Sequence, residues 1–585
     1  MGDWSSEQRN TISSHYSIIA TMSASLSDDT NSKPVTMTAS LPLDDSSPPS
    51  SNIPFLVVAF LASLTTGGTT YGFGIYGAAL KHTLNLSQSE LDTISSANFC
   101  AGLLSGLPGM CSDKFGPRCA LTSGGITGAL SLLLYWAVAK QMLPVSHTMI
   151  VPVLCTLGVM VFMSSSLVTG AVFKLIVSTC GPGTKGSAVG AAKGYVGLGA
   201  GAYAMLFQSL RGNGILESDL DFLPMAASCS LMAAALPAFY LLPSKQTFEE
   251  CPSADRSSPF HYRTIYLGLV ALAILVVGNS LVSLFFDDDD EGPDYGMAGV
   301  IVLVWIGPIL ALLFLPDSTH VALSTNETAQ VSLQEERSRF RDKPDDDEHD
   351  QMISQEQFTG IVSRNLWQML GTIPAWLMVW TTTILVGGGT IMTNNMGQMV
   401  EALHFDSVVS PASLALFSVF QAGSRVVTGA ISESALSWRY PWPRPAFFIV
   451  ASLVGVLAHL VLAGATSEGP FVVGVVLSGI GFGMVWPLLV LIVGELYGKE
   501  HVGANYMFFD GFTSAIGTLA ISKFITQYVY DKHIQDEGSE HFTCYGSGCF
   551  QLSHLIVAAL SVTCLFTSTC MLCTSLSRKY YSKRH

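Results

Sequence analysis

The chain has 585 residues, of which 49% are hydrophobic and only 12% are charged, and its mean hydropathy is +0.44. Soluble proteins average about 25% charged residues, so this composition excludes an ordinary soluble protein. The net charge of −15 comes from acidic residues gathered in tails and loops, and it gives no support to nucleic-acid binding.

The first residues are polar, and long apolar stretches follow them. Residues 1–53 lack the short apolar region and cleavage site of a secretory signal peptide, so we expect a disordered tail. Beyond them, fourteen stretches of roughly 20 apolar residues can each cross a hydrocarbon core of about 30 Å as a helix. They begin near Phe55, Glu90, Arg118, Met149, Gly186, Phe222, Arg263, Gly296, Gly371, Pro411, Pro445, Pro470, Val502 and Leu552. The sequence therefore predicts an all-α, multi-pass membrane protein.

The predicted spans divide into groups of six, two and six. Residues 54–243 are predicted to form an N-terminal bundle, residues 244–316 two extra transmembrane helices, and residues 366–577 a C-terminal bundle. Residues 317–365 form a polar, acidic connection, which is either a plain linker or a regulatory segment. Residues 578–585 form a basic tail.

The positions of the cations indicate how the chain crosses the membrane. If Met1 is cytoplasmic, most of the 28 Lys and Arg residues fall on the cytoplasmic side, as the positive-inside rule requires. We therefore expect both termini to be cytoplasmic. The choice between the plasma membrane and a vacuolar-type membrane stays open, because both follow the same rule.

Two loop motifs occupy equivalent places in the two predicted bundles. The first reads Gly109-Met-Cys-Ser-Asp113-Lys114-Phe-Gly116-Pro-Arg118, and the second reads Gly429-Ala-Ile-Ser-Glu433. Each has a glycine, three further residues and then a carboxylate at the end of a hydrophobic helix. A repeated loop of this kind is typical of solute transporters that are built from two repeats.

The carboxylate of each motif is expected to close the two bundles against each other. Asp113 can cap a neighbouring helix N-terminus or pair with a cation, in bonds that break when the protein changes state. Lys114 and Arg118 would hold nearby carbonyl groups or acids. Arg425, near the cytoplasmic end of its span, is expected to be a gate partner of Glu433 or of Glu495 rather than a substrate ligand.

The first motif resembles the loop between the second and third helices of the major facilitator superfamily. The segments that resemble its nodulin-like branch are Tyr71-Gly-Phe-Gly-Ile-Tyr76, Lys193-Gly-Tyr-Val-Gly197, Asn394-Asn395-Met-Gly397-Gln398, Gly479-Ile-Gly-Phe-Gly483 and Glu495-Leu-Tyr-Gly498. The resemblance implies two six-helix bundles with pseudo-two-fold symmetry around a central cavity, with two helices inserted between them. The second motif departs from the pattern, because Glu433 replaces aspartate and no cation follows it directly. A weaker lock is expected there.

Two charged residues within spans are candidates for the mechanism. A charge near the membrane centre costs at least about 2.5–3.5 kcal/mol, so it generally faces a wet cavity or a partner. Lys193 either serves substrate binding or proton coupling, forms a structural ion pair, or snorkels to the interface. Asp510 either carries a proton or is the permanent counter-ion of Lys193. A Lys193 that faces the cavity would favour a substrate with a carboxylate.

Neutral polar residues offer hydrogen bonds without the cost of a charge. Each of them is either a ligand of the solute or a helix-to-helix contact. The candidates are Asn98, Thr381, Asn394, Asn395 and Gln398. Tyr71 and Trp486 are candidates for the aromatic walls of a site for a small organic solute. His459 is expected to be structural. Cys544 and Cys549 share the last outer loop and form either a disulfide or two free thiols.

These patterns predict a secondary active transporter that moves a small organic solute by alternating access. The expected solute is anionic, such as a monocarboxylate or an amino-acid-like compound, and protons are a possible coupling ion. The alternative is a membrane receptor or scaffold that senses a solute without moving it. The sequence has no P-loop and no metal-ligand spacing, so we expect no enzymatic function, no cofactor and no metal. The oligomeric state and the direction of transport stay open.

Overall fold

The computed structural model describes residues 51–212, 216–250, 255–285, 293–316, 363–406, 408–533 and 544–582. Helices account for nearly all of these residues, which confirms the all-α prediction. Most of the predicted N-terminal tail, most of the predicted linker and the end of the basic tail lie outside the described residues. The domain boundaries therefore stay a prediction.

The N-terminal half folds into a bundle of helices in the predicted order. Its helices are α1 (Ile53–Tyr71), α2 (Phe73–Leu84), α3 (Gln88–Cys100), α4 (Gly106–Phe115), α5 (Pro117–Ala139), α6 (His147–Thr179), α7 (Lys185–Leu210), α8 (Phe222–Ser230), α9 (Leu236–Leu241) and the short α10 (Lys245–Glu250). The turn before α5 follows from its sequence. Gly116 has a φ of +82°, which favours glycine, and Pro117 occupies the first helical turn, where its missing N–H is not needed.

Two inserted helices and the C-terminal bundle follow. These helices are α11 (Pro259–Phe285), α12 (Tyr295–Ala311), α13 (Leu366–Leu370), α14 (Ile373–Ala402), α15 (Val409–Ser434), α16 (Ala446–Ala463), α17 (Glu468–Tyr497), α18 (Val502–Met507), α19 (Ser514–Gly517), α20 (Thr526–Lys532), α21 (Gly548–Cys573) and α22 (Ser575–Ser582). The π-helical segments Phe508–Thr513 and Thr518–Ile525 join α18 to α20 into one continuous helical span.

Eleven helices among the described residues are long and apolar enough to cross a membrane. The three other predicted spans are also helical, and they are α3 with α4, α7, and α18 to α20. Their hydropathy is lowered by Gly, Ser and charged residues. In α7, most of these residues are buried against other helices rather than exposed to lipid, so the helix needs less apolar surface. The count of fourteen spans stays a prediction.

The glycine of each motif lets a helix from one half approach a helix from the other. Gly429 on α15 crosses Gly186 at the start of α7, and a Cβ added to Gly429 would lie 2.5 Å from the Gly186 carbonyl oxygen. Gly109 on α4 crosses Gly503 on α18 in the same way. Small residues at such crossings allow backbone-to-backbone packing within a membrane. The two motifs therefore occupy equivalent crossings between the halves.

The inserted helix α11 packs against both helices of the crossing between Gly186 and Gly429. It contacts α7 from the N-terminal half and α15 from the C-terminal half. Leu269 of α11 lies against Gly194, and Val276 lies against Gly201, so two glycines of α7 are covered by aliphatic side chains. Helix α11 therefore covers part of the contact between α7 and α15.

Replacing Gly429 by alanine should destabilise the protein by about 1–3 kcal/mol, because the added methyl group overpacks a backbone contact. Gly423, two turns earlier on α15, is a matched control, since a Cβ there would meet nothing within 4 Å. Gly423→Ala should leave stability unchanged or raise it slightly. Thermal unfolding of the two purified variants in detergent measures the difference. Equal unfolding temperatures would show that the crossing has no close contact.

Candidate functional site

Charged and aromatic side chains from the two halves meet between the bundles, and Lys193, Arg425, Trp486, Tyr506 and Asp510 form what we call the central cluster. Lys193 Nζ lies 2.9 Å from Asp510 Oδ1, and the Tyr506 hydroxyl donates a hydrogen bond to the same oxygen. Lys193 is only 3% exposed, whereas the Asp510 side chain is 22% exposed. The ion pair therefore joins α7 of one half to a helix of the other.

Three aromatic rings surround the ammonium group of Lys193. Its Nζ lies 4.7 Å from the ring centre of Phe173, 4.9 Å from that of Tyr506 and 5.1 Å from that of Trp486. Such rings attract a cation through their negative faces and keep water away from it. Lys193 is therefore buried between the two bundles, and its side chain does not snorkel to the membrane interface.

Arg425 brings a second buried cation to the cluster. One guanidinium nitrogen donates to the backbone oxygen of Lys193 at 3.1 Å, and another donates to Gln421 Oε1 at 2.7 Å. The residue is only 2% exposed. Its Cζ lies 5.6 Å from the ring centre of Trp486. The cluster thus contains two cations and one carboxylate, which gives this buried region an excess of positive charge.

The position of Arg425 corrects the prediction that it partners Glu433 or Glu495. Arg425 precedes Glu433 by eight residues on the same helix, which is about 12 Å along the axis. Its guanidinium packs instead beside Lys193 and Trp486. The cation that binds both glutamates is Arg444, which the sequence did not single out. It lies in a loop after the span, where cations are common.

Two further features mark the cluster as a place for a ligand. The indole N–H of Trp486 is buried, and among the described residues nothing accepts a hydrogen bond from it. A buried donor in this state costs about 1–3 kcal/mol, which an acceptor group of a ligand would offset. Asp510 lies in the π-helical segment Phe508–Thr513, and such departures from α-helix are frequent at functional sites.

Asp113 joins the halves at one end of the bundle, which we call the motif end because both motifs lie there. Its carboxylate accepts hydrogen bonds from the backbone N–H groups of Gly503 at 3.0 Å and of Ala504 at 2.7 Å. Lys174 Nζ lies 3.2 Å from the same carboxylate. Lys174 also donates to the carbonyl oxygens of Asp113 and Glu500. Asp113 therefore caps α18 from across the boundary.

Glu433 of the C-terminal half caps a helix of the N-terminal half, as Asp113 caps a helix of the C-terminal half. Its two oxygens accept hydrogen bonds from the backbone N–H groups of Gly183 and Gly186, both at 2.7 Å, at the start of α7. Arg444 pairs with Glu433 at 2.6 Å and with Glu495 at 2.8 Å. Arg444 therefore supplies the cation that does not follow Glu433 directly, and the weaker lock at the second motif stays a prediction.

Asp255 supports the loop on which Glu433 docks. Its carboxylate accepts hydrogen bonds from the Gly181 N–H at 2.7 Å and from the Thr184 hydroxyl at 2.5 Å. Burial of Asp255 favours the neutral acid, but hydrogen bonds from Ser257, Thr184 and Gly181 outweigh it and lower the pKa of this carboxyl. Sequence reasoning missed Asp255, because it lies in a polar loop with no recognisable spacing.

The other residues of the first motif act within the N-terminal half. Arg118 donates to the backbone oxygen of Phe239 at 2.9 Å, and its guanidinium lies 5.2 Å from the ring centre of that residue. The backbone oxygen of Lys114 accepts a hydrogen bond from Lys245. The Arg118 contact fits the predicted role of binding a carbonyl group, whereas the role predicted for the Lys114 side chain stays a prediction. Both contacts hold the loop itself rather than the opposite half.

Most of the predicted neutral ligands are placed away from the central cluster. Asn394 donates to Ser522 at 3.1 Å, and Asn395 donates to Gln398 at 3.1 Å. Thr381 hydrogen-bonds Thr567 at 2.7 Å. The bond between Asn395 and Gln398 lies within α14, whereas the other two join different helices of the C-terminal half. The Ser522 hydroxyl also donates to Asn395 Oδ1 at 3.2 Å, so these contacts favour the helix-to-helix alternative.

The remaining predicted residues have separate surroundings. Asn98 lies against Gly158, and nothing among the described residues donates to its buried side-chain oxygen. His459 contacts His554, with 3.1 Å between their Nδ1 atoms. Cys544 and Cys549 are joined by a disulfide. The side chain of Tyr71 lies outside the described residues.

Comparison with known proteins gives two overlapping family matches. A family model described as Nodulin-like matches residues 55–313, and one described as Major Facilitator Superfamily matches residues 265–521. Together they extend over residues 55–521, which leaves the last helices of the C-terminal bundle, α20 to α22, outside both matches. Two sequence relatives and one solved structure add to this result.

Protein NUCLEAR FUSION DEFECTIVE 4 of Arabidopsis thaliana is 22% identical over 532 residues, covering 87% of this chain and 86% of that protein. Probable transporter MCH1 of Yarrowia lipolytica is 26% identical over 191 residues, which cover 31% of this chain and 38% of that protein. The structure of the proton:xylose symporter XylE is similar with a TM-score of 0.53 and 11% identity, covering 88% of this chain and 94% of XylE. At that identity, the structural likeness concerns the fold alone.

Proposed function

Because this chain belongs to the nodulin-like branch of the major facilitator superfamily, we propose that it is a secondary active transporter of a small organic anion. The observation that carries the proposal is the central cluster, in which Lys193 of one half pairs with Asp510 of the other beside Arg425. A site divided between two bundles changes its exposure when the bundles rock against each other.

In the proposed transport cycle, the bonds that the two motifs make between the halves form and break reversibly. The bundles that would rock are residues 54–243 and residues 366–577. Asp113 and Glu433 each cap a helix of the opposite half, so their bonds hold the motif end closed in this arrangement. We propose that this end faces the cytoplasm, in keeping with the positive-inside rule. Opening it requires both sets of bonds to break together, which makes the change a two-state event.

The charge of the central cluster supports an anionic substrate. Lys193 and Arg425 supply two positive charges against the one negative charge of Asp510. A carboxylate that entered between them would gain charge-assisted hydrogen bonds in a water-poor site. The buried indole N–H of Trp486 offers a further donor. A small monocarboxylate or an amino-acid-like compound fits this set of groups.

Asp510 is the proposed site of proton coupling. It is more exposed than Lys193, so water can reach it while its partner stays buried. When Asp510 takes up a proton, the ammonium group of Lys193 loses its counter-ion, and a substrate carboxylate can replace it. The loaded site, with a proton and an anion, then has the same net charge as the empty site. A site of unchanged charge avoids a new electrostatic cost as the bundles move.

Uptake of radiolabelled carboxylates into proteoliposomes tests this proposal. A panel of anionic, neutral and cationic analogues should show saturable uptake of the anions only, and an inward proton gradient should drive their accumulation. Asp510→Asn should remove the response to the gradient while exchange of labelled for unlabelled substrate continues. Asp531→Asn, at an exposed carboxylate of the same span, is the matched control and should behave like the wild type.

Three results would each contradict a part of the proposal. Saturable uptake of neutral or cationic analogues in place of anions would overturn the assignment of an anionic substrate. Solute binding without flux under any gradient would favour the alternative, in which the protein is a solute-sensing receptor. A gradient response that survives in Asp510→Asn would exclude this residue as the proton carrier, while leaving anion transport itself intact.

A further inference from the structure

A large pocket at the motif end lies outside the central cluster. Its volume is about 820 Å³, and its lining comes from both halves of the protein. Lys114, Lys174 and Lys245 line it from the N-terminal half, and Lys499 and His501 line it from the C-terminal half. Four of the fourteen lysines of a chain with a net charge of −15 therefore gather around one cavity.

The acids of the pocket do not cancel this positive charge. Only Asp113 and Glu500 supply carboxylates to the lining, so the four lysines leave a surplus of two positive charges. The carboxylate of Asp113 is already engaged by Lys174 and by the N–H groups of Gly503 and Ala504. An open pocket with this surplus attracts a compact anion with several negative charges.

The apolar part of the lining places the pocket beside the membrane surface. Trp367 is 72% exposed, and Phe248 lines the pocket next to Lys245. Tryptophan side chains are enriched where a bilayer meets water, and lysines near that level attract phosphate-bearing headgroups. The combination of an interfacial indole with several ammonium groups favours phosphate over a simple carboxylate, which lacks the multiple charges needed to engage all of them.

We propose that this pocket binds a cluster of phosphate groups, as carried by a phosphorylated inositol ring. The ring reaches the pocket either as the headgroup of a lipid or as a soluble inositol phosphate, and both present the same chemistry. Lysines on opposite sides of the pocket would each neutralise part of its charge. The cavity is large enough to hold such a ring with its phosphates.

The ligand would stabilise the arrangement in which the motif end is closed. Lys245 belongs to the N-terminal half and Lys499 to the C-terminal half, so one polyanion can contact both only while the halves are together at this end. A ligand that binds one conformation better than another shifts the protein toward that conformation. This consequence rests on the proposed alternating access, whereas the binding itself does not.

Binding to the purified full-length protein tests the inference without any transport assay. In one arm, the protein is placed in phosphatidylcholine nanodiscs with or without phosphatidylinositol 4,5-bisphosphate. In the other arm, inositol hexakisphosphate is added to the protein in detergent. The lipid, the soluble compound, or both should raise the thermal unfolding temperature. The arm that responds at the lower concentration identifies the source of the phosphate.

The double variant Lys245→Gln/Lys499→Gln should weaken binding by roughly 30-fold, since each lysine near an anionic headgroup contributes about 1 kcal/mol. Lys499→Gln alone changes an exposed side chain and should weaken binding by roughly 5-fold. This single variant replaces the double variant in the test if the double variant is unstable. The control Lys532→Gln/Lys579→Gln removes two exposed lysines elsewhere and should bind normally. The absence of stabilisation in both arms, or equal losses in the control, would overturn the proposal.

Discussion

Replacing Arg425 by glutamine is expected to lower the transport efficiency for the proposed anionic substrate by roughly 100-fold. Removing one partner of a buried, hydrogen-bonded charge pair costs about 2–5 kcal/mol, and each 1.4 kcal/mol is a factor of ten. Arg425 is buried beside Lys193 and Trp486, so water cannot solvate the carboxylate of the proposed substrate in place of the missing guanidinium group. Saturable uptake into proteoliposomes measures the loss.

Two further variants show whether the charge or the shape of Arg425 matters. Arg425→Lys keeps the charge but not the planar fork that contacts Gln421 and the Lys193 backbone, so it should retain only part of the activity. Arg439→Gln, at an exposed arginine of the C-terminal half, should transport normally. Wild-type uptake by Arg425→Gln would show that the substrate does not contact this guanidinium.

Replacing Arg444 by glutamine should destabilise the protein by about 3–5 kcal/mol, because the change leaves two buried carboxylates without their cation. Glu433 and Glu495 each have side chains that are only 6% exposed, and both pair with Arg444. Their mutual repulsion would no longer be balanced. The unfolding temperature and the yield of monodisperse protein in detergent measure the effect.

A compensating variant separates this explanation from a general loss of folding. In Arg444→Met with Glu433→Gln and Glu495→Gln, all three charges of this network are removed together, so much of the lost stability should return. Arg439→Gln lies in the same loop at an exposed position and should leave the unfolding temperature unchanged. If the triple variant is no more stable than Arg444→Gln alone, the charge network is not the cause of the loss.

The two motifs perform the same operation with different residues. In the first, Asp113 caps α18 and takes its cation, Lys174, from α6. In the second, Glu433 caps α7 and takes its cation, Arg444, from the loop before α16. Both carboxylates accept hydrogen bonds from backbone N–H groups at a helix N-terminus of the opposite half, whereas the positive charge comes from different elements. A search for a cation at a fixed distance from the carboxylate therefore finds neither partner.

The sequence alone determined the membrane fold, the two halves and the places where they meet. Long apolar stretches dictate helices, because a bilayer leaves the backbone no other partner for its hydrogen bonds. The repeated glycine and carboxylate indicated that equivalent loops, ending at Asp113 and Glu433, connect the bundles, whereas the backbone crossings at Gly109 and Gly429 are visible only in the structure. Lys193 and Asp510 also stood out, since a charge within an apolar span is rare enough to be visible without any coordinates.

Only the tertiary structure decided which charges meet. Arg425 and Arg444 are both arginines near the same span, yet one joins the central cluster and the other joins Glu433 and Glu495. Likewise, Asp255 belongs to an unremarkable polar loop until the fold brings it against the start of α7. Ion pairs between residues far apart in the chain depend on helix rotation and register. These are set by the packing of whole helices, which no local pattern records.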